Sequence, residues 1–135
     1  MKKLFFIIVF GFQFLSAQEM VVEAPQNLDN NIYNTAGIDV LPEYPGGIQS
    51  FYNFIGKNFI VPEHKDFKGG KVIVSFVIEK DGSITDIIVI KDAGFGSAEE
   101  AIRVFKLAEK WKPAEQNGKI VRCSFVIPIS MQIPK

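Results

Sequence analysis

The sequence predicts an α+β fold, a three-stranded antiparallel sheet of order 2-1-3 with two helices packed on one face. Three observations lead there. Val72, Val74, Phe76 and Ile78 alternate along residues 71–80, and Lys80-Asp81-Gly82 turns that run straight into a second one, residues 84–90. Two stretches repeat apolar residues at helical spacing, Ile48, Phe51, Ile55 and Phe59, then Ala98, Ala101, Ile102, Phe105 and Ala108. A last alternating run, residues 119–131, carries Val121, Cys123, Phe125, Ile127 and Ile129 on one face.

The elements follow in order. Met1 begins a stretch with Lys2 and Lys3, an apolar run over residues 4–15, then Ser16-Ala17 before the polar Gln18-Glu19. This is the layout of a secretory signal peptide, residues 1–17, cleaved after Ala17. The alternative is an uncleaved anchor, but the 14 residues 4–17 make only about 21 Å of helix against a hydrocarbon core of about 30 Å. Residues 18–41 are polar and asparagine-rich, and read as a flexible lead-in of roughly 27 Å, briefly extended at Ile38-Asp39-Val40.

Pro42-Glu43-Tyr44-Pro45-Gly46-Gly47 turns the chain into the domain, residues 42–135. A first helix spans residues 48–59, and Pro62 and Gly69-Gly70 separate it from the first strand. Ser97 and Glu100 form the pattern of a capping box at the start of the second helix, which runs to about Lys110 before Trp111-Lys112-Pro113. Asn117-Gly118 turns into the last strand. Strands one and two are antiparallel because their connection is too short for a crossover, whereas a whole helix joins strands two and three and makes them parallel. The first strand, apolar on both faces, therefore belongs in the centre. Pro128 suits an edge, since proline cannot donate to a ladder.

Composition excludes several functions. The chain holds 15 basic and 15 acidic side chains, and removing residues 1–17 takes two lysines and no acid, for a net charge near −2. That is no footprint for nucleic acid. His64 is the only histidine and Cys123 the only cysteine, so neither a metal site nor a nucleophile–base pair is expected. His64 reads as a surface residue and Cys123 as a small core hydrophobe. Gly69-Gly70-Lys71 lacks the first glycine and the hydroxyl of a phosphate loop, and Glu99 stands where Gly94-Phe95-Gly96 would need a third glycine to bind a dinucleotide. Glu99-Glu100 suits the start of a helix. No enzyme, no cofactor and no small-molecule substrate is expected.

Several phrases occur together in order: Pro42-Glu43-Tyr44-Pro45-Gly46-Gly47, the strand from Val72 to Ile78 with Lys80-Asp81-Gly82, Trp111-Lys112-Pro113, Asn117-Gly118-Lys119 and Val126-Ile127-Pro128-Ile129. Over about residues 41–133 the chain resembles the C-terminal domain of TonB. The resemblance implies a two-helix, three-stranded periplasmic domain that grips a peptide segment of a TonB-dependent outer-membrane transporter and serves energy-dependent transport. The grip implied is strand addition along the last strand, centred on Arg122, Cys123, Ser124, Phe125 and Val126, with Tyr44-Pro45 near the docked peptide. A complete TonB adds a histidine-bearing membrane helix and a long Pro-rich spacer. Neither pattern is visible here, so the likeness covers the fold and the binding edge rather than the motor connection. The alternative reading of the same edge is self-association, as a dimerisation or envelope-scaffold domain.

Overall fold

A computed structural model describes residues 29–133. The expected signal peptide, residues 1–17, and the part of the lead-in over residues 18–28 lie outside the described residues. The elements are β1 (Ile32–Tyr33), α1 (Ile48–Asn58), β2 (Gly70–Ile78), β3 (Ile84–Lys91), α2 (Ser97–Phe105), β4 (Ala114–Gln116) and β5 (Lys119–Met131).

The expected three-stranded antiparallel sheet is corrected to a mixed sheet of five strands, in the order β1-β5-β2-β3 with β4 also paired to β5. The long strands β3, β2 and β5 are antiparallel neighbours, with β2 in the middle. The two additions are short. β1 runs parallel to β5, Ile32 beside Arg122 and Tyr33 beside Cys123, and β4 completes a hairpin with the start of β5. Neither has enough residues for an alternating pattern; β1 is placed by contacts distant in the chain, and β4 by the tight turn at Asn117-Gly118. From Asp29 onward the expected lead-in therefore packs on the domain. Val40 bridges Glu115, and the Asp39 carboxylate accepts from the Asn117 N–H at 2.8 Å.

One face of β2 carries the core. Val72, Val74, Phe76 and Ile78 are completely buried, against Phe51 and Ile55 of α1 and Ala101, Val104 and Phe105 of α2. Both helices thus cover one face. Aromatic rings fill the layer between, with Phe51 edge-on to Phe105 at 5.4 Å and to Trp111 at 4.9 Å, and Phe76 edge-on to Phe105 at 5.1 Å. Such tilted pairs bring the positive ring edge to the negative face.

The capping box gives way to another arrangement. Gly96 is the N-cap of α2 and no side chain caps it. Ser97 instead lies buried inside the helix, its Oγ accepting from the Ala93 N–H at 3.0 Å. Glu100 turns outward, accepting from the Ile60 N–H at 2.8 Å and from Arg103. Ser97 therefore fixes the loop before α2, and Glu100 the loop after α1, rather than each other.

The two neighbours of β2 differ in regularity. β2 and β5 stay in register without a break from Ile78–Cys123 to Gly70–Met131. The β2–β3 register shifts twice, and Asp86 adopts a left-handed φ of 51°.

Candidate functional site

Asn117 and Gly118 have φ of 54° and 76°, both positive, so β4 and β5 are joined by a type I′ turn. Such a turn makes Gln116 and Lys119 a hydrogen-bonded pair, and backbone groups then alternate sides along the strand. Odd-numbered residues of β5 face β4 and then β2. Even-numbered residues face the other side. Pro128, without an N–H, falls on that second side, where no ladder bond to β2 is lost.

β1 occupies the beginning of this second side. Arg122 holds it there, its Nη1 donating to the Asn30 carbonyl at 3.0 Å, while the Ser124 hydroxyl donates to the Tyr33 carbonyl at 3.4 Å. Arg122 is itself fixed by a two-pronged pair with Glu79, at 2.8 Å and 3.0 Å. The Arg122 guanidinium, by hydrogen bonding, holds the Glu79 carboxyl below its ordinary range, and the Thr85 hydroxyl also donates to it. Beyond Tyr33 the chain turns away through residues 34–37. Among the described residues no strand pairs with β5 on that side from Val126 to Ser130.

The expected site residues take distinct positions along this edge. Arg122 and Cys123 lie where β1 runs alongside, and Cys123 is flanked by Tyr33 on one side and Ile78 on the other. Cys123 is completely buried, and burial pushes its thiol up. Ser124 marks the end of β1's cover. Phe125 turns into the core, 5.9 Å from Phe76 and 5.6 Å from Trp111. Val126 is 52% exposed and begins the open stretch. Tyr44 is buried against Phe51, 4.8 Å away. With Pro45 it lines a hollow of about 320 Å³ between Ser50, Phe54 and Glu109, to which no β5 residue contributes. The fold thus brings Arg122 to Val126 onto one strand and sets Tyr44-Pro45 elsewhere.

Sequence reasoning leaves out two contributors. Tyr52 of α1 reaches the strand and donates its hydroxyl to the Pro128 carbonyl at 3.3 Å. Ser130, exposed near the end of β5, carries the next open-side N–H and carbonyl. Its even spacing from Val126 was the one available clue. Among the described residues, no group of three or more His, Cys, Asp and Glu side chains could hold a metal ion, and no helix is long and apolar enough to cross a membrane.

A family model described as Gram-negative bacterial TonB protein C-terminal matches residues 65–132, half of the chain. The chain belongs to the TonB C-terminal family. No curated protein matches it. The TonB match takes in β2, β3, α2, β4 and β5, and leaves α1 and Tyr44-Pro45 outside. Domains of the TonB C-terminal family interact with TonB-dependent outer-membrane transporters, serve energy-coupled transport rather than catalysis, and reside in the periplasm or envelope.

Proposed function

We propose that this domain binds an extended peptide segment of a TonB-dependent outer-membrane transporter by adding it as a strand along the open side of β5. One observation carries the reading. β5 is a regular strand whose second edge is unpaired from Val126 to Ser130 among the described residues, whereas the other outer strand, β3, is broken twice and kinked at Asp86. Bulges spoil an edge for pairing, and a regular ladder accepts a partner in register. Main-chain bonds supply the attraction, so partner sequences can vary.

The docking stretch in this reading runs from Ser124 to Ser130, with Arg122 and Cys123 supporting β1 beside it. Tyr44-Pro45 acts through the core, by seating α1, rather than by touching the peptide. Delivery to the periplasm rests on residues 1–17, read as a cleaved leader from Lys2, Lys3, the apolar run and Ser16-Ala17. N-terminal sequencing of the exported protein tests that part, a chain beginning at Gln18 being the expected result.

Titration calorimetry with peptides from the periplasmic N-terminal segments of the host's transporters tests the docking. Val126→Pro removes one open-side N–H without disturbing the bonds to β2, and binding is expected to weaken strongly. Equal binding by both proteins would refute strand addition at this edge. A concentration-dependent dimer in place of peptide binding would favour self-association.

A further inference from the structure

The open edge supplies few bonds. Val126 and Ser130 each offer an N–H and a carbonyl, but Pro128 has no N–H and its carbonyl already accepts from Tyr52. Each neutral hydrogen bond is worth only about two- to tenfold in affinity, and ordering a peptide offsets a comparable amount per residue. A ladder this short leaves a partner weakly held unless a side chain anchors it.

Immediately past Ser130 lies a cavity of about 880 Å³, formed where the end of β5 meets the loop between α1 and β2. Phe67 and Met131, both buried, belong to the main core and also line the cavity. Ile133, 41% exposed, adds a third apolar wall. The loop is braced, since the Phe67 N–H donates to the His64 carbonyl at 2.9 Å and Phe95 packs edge-on to Phe67 at 5.7 Å. Lys65 and Lys68 line the cavity as well, and Glu63 is the one acid among the lining residues, so the lining carries a net positive charge. The nearby Asp66 turns to His64, 3.9 Å away.

Side chains of an added strand alternate between the two faces of the sheet. Those sharing the face of Ile127, Ile129 and Met131 point to the side where Phe67 closes the core. A strand continuing past Ser130 would therefore aim one of its side chains toward this cavity.

We propose that the cavity is an anchor subsite of the docking edge. It takes a Leu, Ile or Phe side chain of the bound peptide, with a neighbouring carboxylate facing Lys65 and Lys68. This inference rests on the reading of β5 as the docking edge and adds the chemistry of the partner to it.

The test uses a random twelve-residue peptide library displayed on phage, selected against the exported full chain. Selected peptides are expected to carry Leu, Ile or Phe beside Asp or Glu. Against the variant Lys65→Glu with Lys68→Glu, both at exposed positions, those peptides should lose roughly tenfold in affinity and the selection should shift to Lys or Arg. Val126→Pro should weaken binding by every selected peptide about tenfold or more, since it leaves a peptide carbonyl without its donor. Peptides that bind wild type and the lysine variant equally, yet weaken with Val126→Pro, overturn the anchor subsite and leave the edge reading intact. Binding that ignores Val126→Pro, or a library that yields no binder, overturns both.

Discussion

The Tyr52 hydroxyl donates to the Pro128 carbonyl across 3.3 Å, tying α1 to the outer edge of the strand that pairs with β2. The bond occupies an acceptor that an added strand would otherwise use. Tyr52→Phe should leave the fold intact and free that carbonyl. Peptide affinity is then expected to rise, by no more than about tenfold, the worth of one neutral hydrogen bond. Calorimetric titration of the two proteins measures it, and a large loss would mean that Tyr52 itself contacts the peptide.

α1 lies outside the matched family region, yet its Phe51 is completely buried among Tyr44, Phe76, Phe105 and Trp111. Phe51→Ala should cost about 3–5 kcal/mol by leaving a cavity in that layer. Urea denaturation gives the value. A cost under about 1 kcal/mol would show that α1 is not part of the cooperative unit.

Gly82 has φ of 88°, and a Cβ there would sit 2.0 Å from the Trp111 carbonyl oxygen. Gly82 also accepts a hydrogen bond from the Trp111 N–H at 2.8 Å, so the turn and the tryptophan are locked together. Gly82→Ala should destabilise by about 1–3 kcal/mol or more, through both strain and displacement of Trp111. Near-ultraviolet circular dichroism should report the change around the indole.

Much of this architecture is legible in the sequence, for identifiable reasons. β5 runs over Lys119–Met131 as expected, because alternation sustained over that length and an Asn-Gly turn leave little freedom. β1 was not legible: its two residues pair with Arg122 and Cys123, far away in the chain, and no local pattern encodes such a partner. Ser97 and Glu100 fit a capping box by spacing alone, but Ala93 and Ile60, both brought close by the fold, compete for them. Pro128 suits a side of β5 without a ladder partner, but β1 lies outside β5 at Arg122 and Cys123, and where its cover ends is not encoded by any local pattern.

The Glu79–Arg122 pair predicts a pH dependence. Glu79 has its carboxyl held below the ordinary value of 4.5, chiefly by the Arg122 hydrogen bond. A carboxyl with a depressed folded pKa stabilises the fold above its unfolded pKa, and that support is lost as pH falls through the folded value. Wild type should therefore exceed Glu79→Gln in thermal stability at about pH 6, and the gap should close as pH falls below 4.5 and through the lowered folded value. A gap independent of pH would contradict the ion pair as its source.

Docking along β5 is tested most directly by amide hydrogen exchange of Val126 and Ser130, followed by NMR with and without a transporter peptide. Their N–H groups face the open side, so both should exchange readily in the free domain and become protected when the peptide binds. Protection confined to residues of β3, or unchanged exchange at Val126 and Ser130 in a saturated complex, would contradict strand addition at this edge.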